Sequence, residues 1–142
     1  MTRPYISLEL RRQIEQDSRY RCGYCLSEAA LTGISLSIDH ITPIMAGGTT
    51  DCDNLWSACR PCNENKNNRT QAEDIISGEF ARLFNPRTQN WHEHFTWSED
   101  KTEIIGLTPT GRATVSALQL NRPLLVRVRL RWVLAGFHPP VD

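Results

Sequence analysis

Apolar and polar residues alternate in short blocks along this chain. Residues 7–19 carry Leu10 and Ile14 on one side at helical spacing, and Ser7 can cap the start, so a helix is expected there. Over 34–41, Ile34, Leu36 and Ile38 alternate with Ser35, Ser37 and Asp39, the pattern of a strand. Pro43 and Gly47-Gly48 mark a loop, and 55–58 reads as a second short strand. Pro61 suits the start of a helix running about two turns towards Arg69. Residues 71–84 read as another helix, interrupted near Gly78 and ended by Asn85-Pro86. Trp91, Glu93, Phe95 and Trp97 alternate with His92, His94 and Thr96, which predicts a strand; with a turn over 98–101 and a return over 103–107 it makes a hairpin. Residues 110–120 read as a helix. Over 124–135 the arginines alternate as in a strand, but Asn121 as cap, Pro123 and Gly136 favour a helix.

The 142 residues suit one compact domain or a small module with an extension, and the 39% hydrophobic content supports only a small core. Net charge is zero, yet five arginines and no acid lie between Ile104 and Val141, so a basic patch can hide in a neutral total. Met1 to Tyr5 is not followed by an apolar leader-like stretch, and no apolar run is long enough to span a membrane. A cytoplasmic protein with reduced thiols is therefore expected, in which clustered cysteines are metal ligands rather than disulfides.

Four of the five cysteines form two pairs, Cys22-x2-Cys25 and Cys59-x2-Cys62. Each knuckle aims two thiolates at one ion, and together they complete a closed tetrahedral zinc site, structural rather than catalytic. Cys52 is left over as a plain thiol. A lone redox pair would need one C-x-x-C beside a βαβ unit, which is absent.

Between the pairs, the polar Asp39-His40 ends an apolar strand. Phosphodiester cleavage needs an activated water and charge stabilisation at the phosphate. His40 can take a proton near neutrality, Asp39 offers a hard oxygen to a divalent cation, and Asn63 can add an amide oxygen from the helix start.

These residues resemble the HNH endonucleases, in the subgroup with two C-x-x-C pairs. The likeness runs from Arg21 to Lys66 through Cys22-x2-Cys25, Asp39-His40-Ile41-x-Pro43, Gly47-Gly48, Asn54-Leu55 and Cys59-x2-Cys62-Asn63-x2-Lys66. It implies an α+β chain: a ββα-metal, treble-clef-like module with a structural zinc over 1–72, and a C-terminal α/β extension over 73–142 packing on it. It implies His40 as general base, Asn54 as the residue that orders the loop, and Asp39 with Asn63 as ligands of a catalytic ion. Asn63 stands where histidine is common, making an H-N-N variant, and its hard oxygen favours Mg²⁺ or Mn²⁺. The activity implied is hydrolysis of DNA, double-stranded, one strand per site, so cutting both strands needs a homodimer or two events. Lys66 and Arg60, and in the extension Arg127 and Arg131, are candidate phosphate contacts.

The extension resembles one found in some uncharacterised HNH proteins, with Phe84-Asn85-Pro86-Arg87, Trp91-x-Glu93-His94-Phe95, Gly106-Leu107-Thr108, Thr110-Gly111-Arg112-Ala113-Thr114 and Leu120-Asn121-Arg122-Pro123. That likeness carries no assigned activity. Trp91, Trp97 and Trp132 read as a small core, and His92 with His94 as two side chains on one strand face, able to share an ion. The competing reading is a zinc-stabilised module that binds nucleic acid or a protein without catalysis; the Asp39-His40 pair, useless to a scaffold, speaks against it. RNA as substrate is a further alternative, although no element recognisably reads a 2′-hydroxyl.

Overall fold

A computed structural model describes residues 4–141, which divide into two compact units. The first comprises residues up to Thr70 together with Asn85–Thr88; the second comprises Gln71–Phe84 and the chain from Gln89 onward.

In the first unit, α1 (Leu8–Asp17) starts where the Ser7 hydroxyl accepts from Leu10 N at 3.1 Å and buries Ile14. It ends at Ser18, whose hydroxyl donates to Ser57 Oγ at 2.7 Å. The cysteine knuckle follows, then a short helix, α2 (Ala29–Thr32), that the alternation did not foretell. Strand β1 (Ser37–His40) is half as long as expected: α2 and Gly33 occupy the approach, and Ile34 stays exposed. β1 pairs antiparallel with β2 (Leu55–Ala58), setting Asp39 opposite Trp56 and His40 opposite Leu55. Helix α3 (Arg60–Lys66) follows at once, with Pro61 in its first turn, and completes a ββα unit. Arg87 returns to this unit, donating to the Leu55 carbonyl at 3.1 Å and pairing with Asp17 at 3.2 Å.

The second unit corrects two expectations. Residues 71–84 are not a helix but a hairpin, β3 (Gln71–Glu73) with β4 (Phe80–Arg82). Asp74 is fully buried at its turn, accepting from Ile76 N and Ser77 Oγ, while the Arg112 guanidinium grips both carboxylate oxygens at 2.8 and 2.9 Å. Residues 91–97 begin as a helical turn, α4 (Trp91–His94), capped by Asn90, before β5 (Phe95–Trp97). The turn brings Trp91 over Phe95 with ring centroids 5.0 Å apart, a contact that full alternation would forbid. β5 pairs with β6 (Ile104–Gly106), as the hairpin pattern predicts.

Helix α5 (Pro109–Leu118) packs on β3, β4 and β6, and α6 (Pro123–Ala135) follows. Asn121 is not the cap of α6; its side chain instead bonds both Ile104 N and Ile104 O, lengthening the β6 edge. The extension is thus α+β, with antiparallel hairpins, rather than α/β. Trp91 and Trp132 are buried in it, as expected of core residues.

Candidate active site and metal centre

The cysteines come together from two separate turns. The first knuckle needs Gly23: a Cβ there would stand 2.3 Å from the Trp56 ring. The second knuckle is the start of α3. The Sγ atoms of Cys22, Cys25, Cys59 and Cys62 all lie within 4.8 Å of one another, and Cys25 and Cys59 are 3.6 Å apart. Tetrahedral Zn–S bonds of about 2.3 Å require sulfurs about 3.8 Å apart, so the cluster could hold zinc. Burial pushes the Cys22 thiol well up, whereas hydrogen bonds from the neighbouring thiols, Cys22 foremost, hold Cys25 well below the usual range against its own burial. Cys52 lies outside the cluster, 3.9 Å from Arg87 Nη2.

One strand away, Asp39 and His40 point to opposite sides of β1, as consecutive strand residues must. The Asp39 carboxylate is buried, with Tyr24 donating its hydroxyl to Oδ2 at 2.6 Å and Lys66 its ammonium to Oδ1 at 3.2 Å. Burial raises its pKa, and the Lys66 and Tyr24 contacts only partly offset this. Tyr24 in turn is held protonated by burial and by the neighbouring carboxylate.

His40 is half-buried and carries Nε2 3.2 Å from Thr50 Oγ1. Burial lowers its pKa; Asp39 opposes that and Lys66 adds to it, leaving the imidazole below its ordinary value and neutral at pH 7. The loop between the strands is tied by Asn54, whose side chain accepts from Thr42 N at 2.9 Å and donates to the carbonyls of Thr42 and Thr49. Gly48 sits against this tie, and any Cβ there would collide with the Thr42 carbonyl.

A cavity of about 1190 Å³ opens over these elements, with Asp39, His40, Thr50, Asn63, Arg60 and Arg11 on its wall. Each Asp39 oxygen accepts one hydrogen bond and keeps a second lone pair, which a hard divalent ion would have to reach in a carboxylate only 3% exposed, while Asn63 could add an amide oxygen from the cavity wall.

Several expected phosphate contacts lie elsewhere. Lys66 is only 1% exposed, its ammonium shared among Asp39 Oδ1 and the carbonyls of His40 and Ile41, both at 3.0 Å. All three of its protons are used inside the protein, so it is a structural cation and not a phosphate contact. Arg60 is exposed, at the cavity wall, and pairs with Glu64 at 2.9 Å. Arg127 and Arg131 are exposed on α6 in the second unit. The basic run is not one open patch, because Arg129 is buried against the carbonyls of Thr102 and Leu120, and Arg112 is committed to Asp74. His92 and His94 do not share a strand face: α4 separates them, with His94 bonded to Thr108 and His92 edge-on to Trp91.

Three residues of this site escaped the sequence reading. Tyr24 had a visible signal, an aromatic placed inside a cysteine knuckle. Thr50 and Arg11 had none, since only folding brings them to His40 and to the cavity.

Residues 22–69 match the family model described as HNH endonuclease. No curated protein and no solved structure matches the chain. No helix among the described residues is long and apolar enough to cross a membrane. With the paired knuckles, the ββα order and the Asp39-His40 strand end lying inside the matched stretch, the chain carries an HNH endonuclease domain.

Proposed function

We propose that this domain nicks DNA, hydrolysing one phosphodiester bond per site in double-stranded substrate. The observation that carries the reading is the strand end: Asp39, His40 and Asn63 are all among the residues that line one open cavity, with His40 half-exposed there and Asp39 buried behind it. His40 is the general base. The Thr50 hydroxyl engages Nε2, which leaves Nδ1 to take the proton of the attacking water. A neutral imidazole at working pH suits that task, and its lowered pKa keeps it neutral. Asn54 holds the loop that follows His40, so the ring stays aimed at the cavity. Mg²⁺ or Mn²⁺, held by Asp39 and Asn63, would supply charge neutralisation at the scissile phosphate and at the leaving 3′ oxygen. Tyr24 and Lys66 fix the Asp39 carboxylate from behind, as outer partners of a metal ligand do. Arg60 is the exposed cation on the wall best placed for a neighbouring phosphate. The products would carry 5′-phosphate and 3′-hydroxyl ends, and zinc in the cysteine cluster would serve folding alone.

Nicking of supercoiled plasmid with Mg²⁺ or Mn²⁺ tests this. His40→Ala is expected to lose about 10²–10⁴-fold in rate while keeping its zinc content and thermal midpoint. Equal rates in the two proteins would remove His40 from the reaction, and a wild type that binds DNA without nicking it would leave a binding module.

A further inference from the structure

Helix α6 presents an unusual solvent side. Its inner side buries Leu125, Arg129 and Trp132. At 3.6 residues per turn the outer side carries Leu124, Arg127, Leu130, Arg131 and Leu134 within about 120° of arc. Leu124 is 77% exposed and Leu134 80%, and Leu130 is also open. No acidic or neutral polar residue interrupts them, so the side is basic and apolar together.

The β3–β4 hairpin of the same unit is its complement. Ala72 and Ala81 pair across it on the side turned away from water, and α5 packs on both strands. On the other side Phe80 stands opposite Glu73, both exposed, and Ile75, Ile76 and Glu79 crowd the tip. Ile75 and Ile76 are 71% and 74% exposed, although the Asp74–Arg112 clamp and the Asp74–Ile76 bond hold the turn still. A rigid turn that aims two isoleucines at water is preformed for contact. Towards its tip this patch is apolar and acidic, with Gln71 and Arg82 at the far end of the same side.

We propose that the second unit is a self-association module, in which the β3–β4 hairpin of one copy docks on the outer side of α6 of a second copy. Ile75, Ile76 and Phe80 would cover Leu124, Leu130 and Leu134, with Glu73 and Glu79 facing Arg127 and Arg131. The leucines decide the partner. A phosphate backbone is wet and charged and would leave them exposed, whereas a protein surface with apolar and acidic groups buries them and matches the arginines. Each copy owns both halves of the contact, so two copies can exchange hairpins symmetrically and close as a dimer. Such a particle would carry two HNH domains, although the inference does not rest on their activity.

Sedimentation velocity of the full chain, zinc-loaded, across a concentration series is the test. The wild type is expected to sediment as a dimer. Arg127→Glu with Arg131→Glu should weaken association roughly tenfold or more, and so should Glu73→Arg with Glu79→Arg. Mixing these two variants should restore a heterodimer, because every hairpin-to-helix pairing then regains opposite charges. All four positions are exposed, so near-ultraviolet circular dichroism should match the wild type in each. Leu124→Ser with Leu134→Ser supplies an uncharged disruption. A monomeric wild type, or a dimer that the charge reversals leave intact, overturns the proposal. If the wild type is monomeric and Arg127→Glu with Arg131→Glu instead weakens DNA binding in a salt-dependent way, α6 belongs to the nucleic acid.

Discussion

Lys66 sets its ammonium 3.2 Å from Asp39 Oδ1 and gives its other protons to the His40 and Ile41 carbonyls, bolting α3 to the end of β1. Both charged side chains are almost wholly buried. Removing one partner of such a pair leaves the other charge unmatched, which costs about 3–5 kcal/mol. Lys66→Met is therefore expected to lower the denaturant midpoint of the zinc-loaded protein strongly. If Lys66 served phosphate binding instead, the variant would keep its stability and lose DNA affinity, and this outcome would refute the structural role.

Asn54 makes three hydrogen bonds to the backbone of the loop that follows His40. Asn54→Ala is expected to cost about 1–3 kcal/mol, from backbone groups left unsatisfied, and to slow nicking through a displaced His40. Asn54→Asp should do at least as much harm, because a carboxylate would face the Thr42 and Thr49 carbonyl oxygens. Thermal melts and plasmid nicking on the three proteins check the order; an aspartate variant as stable as wild type would contradict it.

The two proposed ions should separate by how tightly they are held. Four thiolates in a closed cluster bind zinc with about 10–16 kcal/mol, whereas the proposed catalytic ion would have only two hard protein oxygens, from Asp39 and Asn63. Mild chelation should abolish nicking while one zinc per chain survives by elemental analysis, and added Mn²⁺ should restore activity. Stronger chelation, or Cys62→Ser, should unfold the first unit. A zinc-free protein that stays folded would contradict the structural role of the cluster.

Elements whose determinants are local are legible in this sequence, and those fixed by distant residues are not. Ser7 and Ile14 announce α1, the cysteine spacing announces the cluster, and Pro123 with Gly136 announces α6, because each signal lies within a turn or two of its effect. The β3–β4 hairpin has the sequence pattern of a helix because its turn depends on Arg112, 38 residues beyond Asp74. The aromatic alternation over 91–97 fits a strand equally well until Trp91 and Phe95 need to stack. In the site, the motif names Asp39 and Lys66 but not the bond between them. A lysine on a short helix reads as solvated, and only the carbonyls of His40 and Ile41 show why this one is inside.

Asp74 gives the second unit a dependence on acid. The Arg112 guanidinium, helped by Ile76 N and Ser77 Oγ and opposed by desolvation, holds its carboxyl well below the usual carboxylate range. A group with a depressed folded-state pKa stabilises the fold above its unfolded value of about 3.9 and stops doing so as pH falls towards the folded value. Asp74→Asn should therefore lower the melting temperature of the full chain at neutral pH, with a gap that stays constant down to about pH 5. Below that the gap should shrink, because the wild type loses its charge pair by protonation and the variant has none to lose. Arg112→Met in the same titration should follow Asp74→Asn. A gap that persists undiminished into strong acid would mean that Asp74 acts through its turn hydrogen bonds alone, and not through its charge.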